Sequence, residues 1–324
     1  MKLKPILLQP VFVARKWGDP ALLLDFHPGI PLETSPAGAV GESWDISSYP
    51  GADCVMVTGP MPGRPLSDLL AVEGKTVLGR EWKGFNDFPV LQKFLAPRVD
   101  LPLQVHPGDE YARRVEGQNG KTECWYILDC PDDAFIWLGL RNVSSKTDFE
   151  RVLGEGLLMQ SMHKVRVRPG DVVYIPSGLL HGLGKGCVAY EVQQNSDVTY
   201  RLDDFGLGVD SVEERREHVR KALDVIDFSA NCMPMKVAAN WLDDDGFLDF
   251  PPYFGIGSIR CVEEGTLPRG GFCRGLTIIS GSGELLAGGE RLAVGRGQSW
   301  LLPAALKDVA LRGTFHAIYT LFPK

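Results

Sequence analysis

The sequence predicts an all-β protein built as two related β-barrels with a few short helices. Glycine (37 residues) and proline (23 residues) divide the chain into short apolar runs. Among these runs are CVMV, WYIL, FIWLGL, DVVYI, CVAYEV, LTIIS and SWLL. Many short strands with turn signals between them are typical of sandwiches and barrels. A repeated glycine–proline segment predicts that there are two barrels.

Helical patterns are few, and three segments carry the clearest ones. The segment SVEERREHVRKALDVI, from Ser211, repeats its apolar residues at helical spacing. A second segment, KTDFERVLGEG, begins at Lys146, and a short third, DEYARRVEG, follows Pro107. We therefore expect only a few helices besides the barrels.

Two segments resemble each other in their glycine and proline spacing. GDVVYIPSGLLH, from Gly170, and GQSWLLPAALKD, from Gly297, both have a glycine, five further residues and then a proline. Asp308 in the second segment stands at the position of His181 in the first. We interpret the segments as copies in two related barrels, the second of which has lost its metal ligand.

The boundary between the two barrels is expected in the stretch from about Ser211 to Asp245, where a helical pattern is followed by the acidic connector DDDGFLDFPPYF. This placement predicts a catalytic, metal-binding domain over residues 1–225, which includes the N-terminal strands. A second, degenerate domain then covers residues 226–324.

The composition is that of an ordinary globular protein. The 324 residues are 44% hydrophobic and 23% charged. No run of about 18 apolar residues is present, and the amino-terminal MKLKPILLQP lacks the features of a secretion signal. We therefore expect a cytosolic protein that does not contact a membrane.

Charge and cysteine content argue against several functions. A net charge of −7 disfavours nucleic-acid binding, which relies on a basic surface. Seven scattered cysteines without a C-x-x-C pair predict neither a disulfide framework nor a four-cysteine zinc site. A small anionic substrate would need a local basic pocket. The sequence carries no signal of the oligomeric state.

Three separated segments supply side chains that bind metal ions. In LPLQVHP, Gln104 and His106 are two residues apart and so share one face of a strand, as do Lys121 and Glu123 in GKTECWYIL. In IPSGLLHGLG, His181 follows a proline–glycine turn that can aim its ring into a barrel. Two imidazoles, one carboxylate and one amide oxygen suit zinc, with iron and manganese as alternatives. We expect one zinc ion per chain.

The segment CVAYEVQ places Glu191 and Gln193 on one strand face, together with small residues. This face is consistent either with the wall of a wet cavity or with a half-exposed strand. The polar segment QNSDVTYRLDD that follows brings Asp197 and Arg201 towards the same end of the barrel. For Arg201, the alternative is a surface ion pair with Asp203 or Asp204.

Taken together, the strings QVHP, GKTECWYI, PSGLLHGLGKG and YEVQQNSDVTYRLDDF resemble the signature segments of the type I phosphomannose isomerase family, which has the cupin (jelly-roll) barrel fold. The amino-terminal VFVARKWGD and GESWDIS also resemble the opening of that family. The likeness covers most of residues 5–210 and, more loosely, the second barrel. The length, without a long helical insertion, matches the short bacterial form.

This resemblance implies a function and a set of roles. It implies zinc-dependent interconversion of mannose 6-phosphate and fructose 6-phosphate, with zinc held by Gln104, His106, Glu123 and His181. It further places Lys121, Glu191 and Arg201 in the substrate pocket, and Asp197, four residues before Arg201, is a further candidate for the acid or base role. Arg201 corresponds to the usual catalytic arginine of the family.

Two features depart from the family pattern, and both concern phosphate. Pro102 stands where the family commonly has a serine, so a hydroxyl is missing. After Arg201 the chain reads LDDFGLG and lacks the second arginine of many relatives. Two alternatives therefore remain: a sugar-phosphate-binding regulator without turnover, and another metal-dependent cupin enzyme such as an iron dioxygenase.

Aldose–ketose isomerisation moves a proton between adjacent carbons through an enediol. The reaction needs positive charge near the developing oxyanion and a positioned base. The sequence offers Glu191 and Asp197 as bases, with Lys121 or a zinc-bound water as alternatives.

The remaining histidines and two tryptophans receive structural interpretations. We expect His27 and His163 in loops or on exposed faces. Neither His218 nor His316 has a neighbour at ligand spacing. Trp17 and Trp44 are expected in the core, with an aromatic wall of the pocket as the alternative. Cys124, next to Glu123 in sequence, should point to the opposite face and serve in packing.

Overall fold

The structure is a computed structural model that describes residues 3–28, 39–79, 88–231 and 246–323. Strands dominate these residues and confirm the all-β class. The strands of the N-terminal two thirds are β1 (Ile6–Gln9), β2 (Val11–Ala14), β3 (Val40–Ile46), β4 (Ser48–Tyr49), β5 (Ala52–Asp53), β6 (Val55–Met56), β7 (Val90–Leu95), β8 (Leu103–Val105), β9 (Glu123–Asp129), β10 (Phe135–Leu140), β11 (Met162–Arg166), β12 (Val172–Ile175), β13 (His181–Leu183), β14 (Val188–Gln194) and β15 (Tyr200–Asp203). The C-terminal strands are β16 (Phe247–Phe250), β17 (Phe254–Thr266), β18 (Arg274–Ala287), β19 (Glu290–Gly295), β20 (Ser299–Leu302) and β21 (Val309–Leu321).

The helices of the described residues are short. They are α1 (Pro20–Phe26), α2 (Leu66–Leu78), α3 (Asp109–Val115), α4 (Lys146–Gly154), α5 (Val212–Val225) and α6 (Phe228–Asn231), with a 3₁₀ turn at Met159–Ser161. In this part of the chain, no helix has both the length and the apolar character needed to cross a bilayer.

The three predicted helices are confirmed as α3, α4 and α5. Helix α5 begins where expected because the Ser211 side chain accepts from the Glu214 amide while the Glu214 side chain accepts from the Ser211 amide. Helices α1 and α2 were not predicted. The α1 sequence PALLLDF is too uniformly apolar to show helical spacing, and α2 is kinked at Glu73, which breaks its period.

The strands form three large antiparallel sheets and a two-stranded ribbon of β4 and β5. The five-stranded sheet has the order β11-β10-β13-β8-β15, and the six-stranded sheet has the order β12-β9-β14-β7-β3-β2. The eight-stranded sheet has the order β16-β17-β21-β18-β20-β1-β6, with β19 paired to β18. These sheets pack as layers, with the six-stranded sheet in the middle.

Apolar side chains on alternate positions join these layers. Trp125 and Ile136 belong to one cluster between the five- and six-stranded sheets. Tyr190 and Leu301 belong to a second cluster between the six- and eight-stranded sheets. Because β14 is covered on both faces, all of its residues are buried, and the alternative of a half-exposed strand is wrong.

The predicted domain boundary falls partly on residues 232–245, which lie outside the described residues. Strand β1 pairs with β20, with Leu7 opposite Trp300, and β6 extends the same sheet. N-terminal strands therefore complete the sheet formed mainly by C-terminal ones. The division into residues 1–225 and 226–324 stays a prediction.

One histidine differs from its predicted placement. His27 is buried rather than exposed, and its Nε2 atom lies 3.5 Å from the Asp45 carboxylate. Its ring packs edge-on against Phe12 and Phe94. The sequence could not show this because the flanking Pro28 is typical of a loop, whereas the burial depends on the packing of α1 against β3.

Candidate metal centre and its cavity

The five-stranded sheet aligns three of the predicted site residues in one row. Gln104 on β8 lies opposite His181 on β13 and opposite Arg201 on β15. Residues directly opposite each other in an antiparallel pair point to the same face. Leu103 and Val105 point to the other face, where they join an apolar cluster with the helices. Strand pairing thus brings together side chains that are about a hundred residues apart in sequence.

The six-stranded sheet presents a second row of polar side chains. Glu191 on β14 lies opposite Lys93 on β7, and Gln193 lies opposite Glu123 on β9. Cys124, the neighbour of Glu123, points into the apolar cluster on the opposite face, as predicted. The polar faces of the two sheets meet at the candidate metal centre.

Three predicted metal ligands converge at this point. One ligand atom from each of His106, Glu123 and His181 lies within 4.8 Å of the others, and all three side chains are buried. The Nε2 atom of His106 is 3.4 Å from one carboxylate oxygen of Glu123, and that of His181 is 3.2 Å from the other. The side-chain amide of Gln104 lies 3.3 Å from the His181 Nε2 atom. The structure therefore brings all four predicted ligands together.

Backbone carbonyls fix the protonation of both imidazoles. The Nδ1 atom of His106 donates to the Val198 carbonyl at 2.9 Å, and that of His181 donates to the Leu179 carbonyl at 2.9 Å. Because a carbonyl only accepts, each neutral ring carries its proton on Nδ1 and directs the Nε2 lone pair at Glu123. Burial and the positive charge of Lys121 lower the pKa of His106 well below its ordinary value, which keeps that ring neutral.

Lys121 balances the negative charge beside the ligand cluster. Its ammonium group contacts the Glu123 carboxylate and lies 3.1 Å from Glu191 and 3.2 Å from the His106 Nε2 atom. Burial would lower the pKa of Lys121, but the charges of the two glutamates raise it. For Glu123, burial would raise the pKa, but the positive charge of Lys121 lowers it well below its usual range.

Glu191 lies beside the ligand cluster, on the strand next to that of Glu123, and contacts Lys121. Its carboxylate is held between Lys121 and Lys93 and is buried. Burial and the negative charge of Glu123 raise the pKa of Glu191, against the opposing effect of the two lysines. Glu191 is therefore a carboxyl group that holds a proton more readily than an exposed glutamate does.

Lys93 is a site residue that sequence reasoning missed. Its side chain is 4% exposed, and its ammonium group lies 3.6 Å from Glu191 and 3.7 Å from Glu42. Both distances are too long for a good hydrogen bond. A lysine within the apolar strand VLQKFL was the available signal, because a buried lysine is rare without a function or a partner.

Glu42 and Arg15 form a second missed pair. Glu42 accepts hydrogen bonds from Arg15 Nε at 2.9 Å, from Arg15 Nη2 at 3.1 Å and from the Trp44 indole at 2.6 Å. Burial would raise the pKa of Glu42, but the charges of Arg15 and Lys93 lower it to about 2. The sequence signal was a glutamate within the buried strand VGESWDI.

Two glycines allow Arg15 and Glu42 to meet. A Cβ atom on Gly18 would lie 2.4 Å from the Cα atom of Gly41, so the backbones cross in direct contact. Any larger residue would force them apart. The tryptophan–glycine and glycine–glutamate–tryptophan strings noted in the sequence therefore act together as one backbone crossing.

A cavity lies beside the ligand cluster, and Gln104 is the predicted ligand that belongs to its wall. The wall also includes all four predicted catalytic residues together with Pro102 and Trp17. The Arg201 Nη1 atom donates to Asp210 at 3.2 Å, so its ion-pair partner lies in the following loop and not in the strand. Asp197 is partly exposed and lies 3.9 Å from Arg15. Trp44 is buried, as expected for a core residue.

Comparisons with known proteins agree with this architecture. The chain is 34% identical over 316 residues to mannose-6-phosphate isomerase ManA of Bacillus subtilis, with 97% of each chain covered. It is 31% identical over 325 residues to the mannose-6-phosphate isomerase of Streptococcus mutans, again with 97% of each covered. No family model matches the chain.

Solved structures give the same result. The crystal structure of the mannose 6-phosphate isomerase from Bacillus subtilis matches with a TM-score of 0.81 and 33% identity, covering 98% of this chain and 99% of that one. A mutant phosphomannose isomerase from Salmonella typhimurium matches with a TM-score of 0.75 over all of both chains, at 16% identity. The second match concerns the fold alone.

Proposed function

This chain belongs to the mannose-6-phosphate isomerase family, and we propose that it interconverts mannose 6-phosphate and fructose 6-phosphate with the help of one zinc ion. The observation that carries the proposal is the cluster of ligand atoms from His106, Glu123 and His181, which Lys121 joins to a cavity lined by lysine and arginine. The cluster offers a metal site, and the cavity offers positive charge for an anionic sugar.

The residues present fit a divalent metal ion. The lone pairs of two imidazole rings face the Glu123 carboxylate oxygens at 3.2 and 3.4 Å. Each of these contacts therefore joins two hydrogen-bond acceptors with no donor between them. Such an arrangement is stable only with a positive species beside it. Lys121 supplies part of that charge beside His106, whereas the only donor near the His181 Nε2 atom among the described hydrogen bonds is the neutral Gln104 amide, at 3.3 Å. A mixed nitrogen and oxygen donor set favours zinc.

A bound zinc ion would act as a Lewis acid towards the sugar oxygens that gain negative charge in the enediol-like transition state. The protein groups around it have complementary tasks. Lys121 holds positive charge next to Glu191, and buried positive charge of this kind stabilises a developing oxyanion. Lys93 lies 3.6 Å from Glu191 on its other side and donates no hydrogen bond within the described part of the chain.

Glu191 is the proton carrier that the geometry favours. It is buried, lines the cavity and lies between two lysines. Asp197, the other candidate from the sequence, is partly exposed at the cavity mouth. Proton transfer between C1 and C2 requires a group close to the reacting carbons, at the base of the cavity rather than at its mouth.

Arg201 is positioned to hold the substrate by charge. Its side chain lines the cavity on the row that contains Gln104, and Asp210 fixes its guanidinium group. We propose further that the enzyme is cytosolic, that its partner is a small sugar phosphate, and that it binds neither nucleic acid nor a membrane. A net charge of −7 agrees with the absence of a nucleic-acid partner.

The test combines metal analysis with an activity assay. The purified chain is analysed for bound metal, and mannose 6-phosphate conversion is followed in a coupled assay before and after treatment with a chelator. We expect about one zinc per chain and an activity that is lost on chelation and restored by zinc.

Other outcomes would redirect the proposal. Bound iron without isomerisation would contradict it and would favour another metal-dependent cupin enzyme. Bound zinc and sugar-phosphate binding without turnover would favour a regulator.

A further inference from the structure

The cations that line the cavity lie at two depths. Lys93 and Lys121 are 4% and 3% exposed and lie beside the buried glutamates. Arg15 and Arg201 are 25% and 28% exposed. A phosphate dianion keeps part of its hydration, and so it is bound more easily near the mouth than at the base. The sugar carbons that react must instead reach the ligand cluster at the base.

The guanidinium group of Arg15 is fixed in place near the cavity mouth and has one nitrogen available for a ligand. Its Nε and Nη2 atoms are fixed by the Glu42 carboxylate, which is itself held by the Trp44 indole. Its remaining nitrogen, Nη1, has no hydrogen-bond acceptor within the described part of the chain. A guanidinium group that is fixed on one edge and open on another presents donors with little loss of side-chain entropy.

The neighbouring residues of the cavity wall leave a need for such a donor. Pro102 lines the cavity but has neither a hydroxyl nor a backbone N–H to offer. Arg201 already donates to Asp210. Each arginine is partly neutralised, Arg201 by Asp210 and Arg15 by Glu42, so one of them alone is a weak site for a doubly charged phosphate and two are required.

We infer that Arg15 binds the phosphate group of the substrate, opposite Arg201, and thereby sets the preference for phosphorylated over free sugars. This inference rests on the proposed function, because that function names a sugar phosphate. Asp197, 3.9 Å from Arg15, competes with phosphate for the same guanidinium group. Its carboxylate therefore weakens anion binding.

The test uses inorganic phosphate as a probe besides mannose 6-phosphate. Binding of phosphate to the zinc-loaded protein is measured by calorimetry, and KM and kcat are measured with mannose 6-phosphate. For Arg15→Gln we expect phosphate affinity to fall by about tenfold to a hundredfold and KM to rise by a similar factor, as the loss of a charge-assisted hydrogen bond predicts. The value of kcat should change by less than about threefold, because the contact persists in the transition state.

Three further variants separate binding from structure. Arg15→Lys keeps the charge without the paired donors and should be intermediate. Asp197→Asn should bind inorganic phosphate more tightly than the wild type. Arg98→Gln is the matched control: Arg98 is exposed, contacts the Lys16 carbonyl and is not part of the cavity wall, so phosphate affinity should not change.

Specific results would overturn the inference. Unchanged phosphate affinity in a folded Arg15→Gln variant would overturn it, even if kcat falls. A purely structural role of Arg15 would change kcat and stability but would leave phosphate affinity unchanged. If Arg15→Gln does not fold, Arg15→Lys with wild-type phosphate affinity and wild-type KM has the same meaning. Should the wild type bind phosphate but fail to convert mannose 6-phosphate, the proposed function would fail while the Arg15 result would still stand.

Discussion

The two glycine–proline segments share a backbone pattern but lead to different surroundings. Gly170 and Gly297 both have positive φ angles, of 94° and 81°, and each precedes a four-residue strand, β12 or β20. After the first strand the chain turns to the buried ligand His181. After the second it reaches Asp308, which is 77% exposed and pairs with Arg269.

The difference lies in how the turn is held. The Gly178 amide donates to the His106 carbonyl, and the Asn231 side chain donates to the Gly178 carbonyl and accepts from the Leu180 amide. A Cβ atom at Gly178 would lie 2.9 Å from the Val225 carbonyl oxygen, so only glycine fits there. Ala305 occupies the equivalent position in the second segment. The second turn is held by other partners: the Ala304 amide donates to the Val77 carbonyl, and Arg274 donates to the Leu306 carbonyl.

The largest expected effect compares the two equivalent positions directly. His181→Ala should lose most of its bound zinc and reduce kcat/KM by about 10³-fold or more, because Lewis-acid stabilisation is worth several kcal/mol. Asp308→Ala, the matched control, should keep its metal and activity, since exposed ion pairs contribute about 0–1 kcal/mol. Metal analysis and the coupled assay measure both. Equal metal loss in the two variants would contradict the assignment of His181 as the metal ligand that the second segment lacks.

The next largest effect is expected when a buried carboxylate near the ligands is replaced, in comparison with an exposed carboxylate on the eight-stranded sheet. Glu191→Gln should keep zinc and lower kcat by about 10² to 10⁴, the usual contribution of a positioned proton carrier. Glu264→Gln, whose side chain is exposed and pairs with Arg312, should change neither quantity. If Glu191→Gln retains full activity, Asp197 becomes the group to test.

A core substitution on the far side of the eight-stranded sheet should affect stability alone. Leu276 is fully buried in the apolar cluster that includes Trp300. Leu276→Ala should lower the free energy of unfolding by about 2–5 kcal/mol, through lost burial and a cavity. Chemical denaturation measures this effect, and kcat of the folded variant should stay at the wild-type value. A large fall in kcat would show that this sheet is coupled to the site.

The smallest effect, and the most dependent on pH, concerns the Glu42 carboxylate. Folding lowers the pKa of Glu42 from 4.5 to about 2. Its contribution to the free energy of unfolding is therefore complete above about pH 4.5 and is lost as the pH falls towards 2. The shift corresponds to about 3 kcal/mol at neutral pH. The difference in free energy of unfolding between the wild type and Glu42→Gln should therefore be constant from pH 7 to pH 5 and should decrease below pH 5. Chemical denaturation at each pH measures this gap. A gap that stays constant down to pH 3 would contradict the assignment.

The sequence by itself predicted the strand-rich fold, three helices and the four ligand candidates, while the roles of the pocket residues came from the resemblance to a family. A period of two predicted a common face for Gln104 and His106, and for Lys121 and Glu123, although His106 follows the end of β8 and Lys121 precedes β9. The capping box at Ser211 is equally local. These features depend on neighbours within a few residues.

Only the tertiary structure decided which distant groups join them. Arg15, Glu42 and Lys93 enter the site because two strand pairings and a contact between glycines bring them there. His27 became buried for a similar reason. The register of strands and the packing of sheets depend on the whole chain, since each pairing is selected by the burial of both faces at once. No local pattern of residues carries that information.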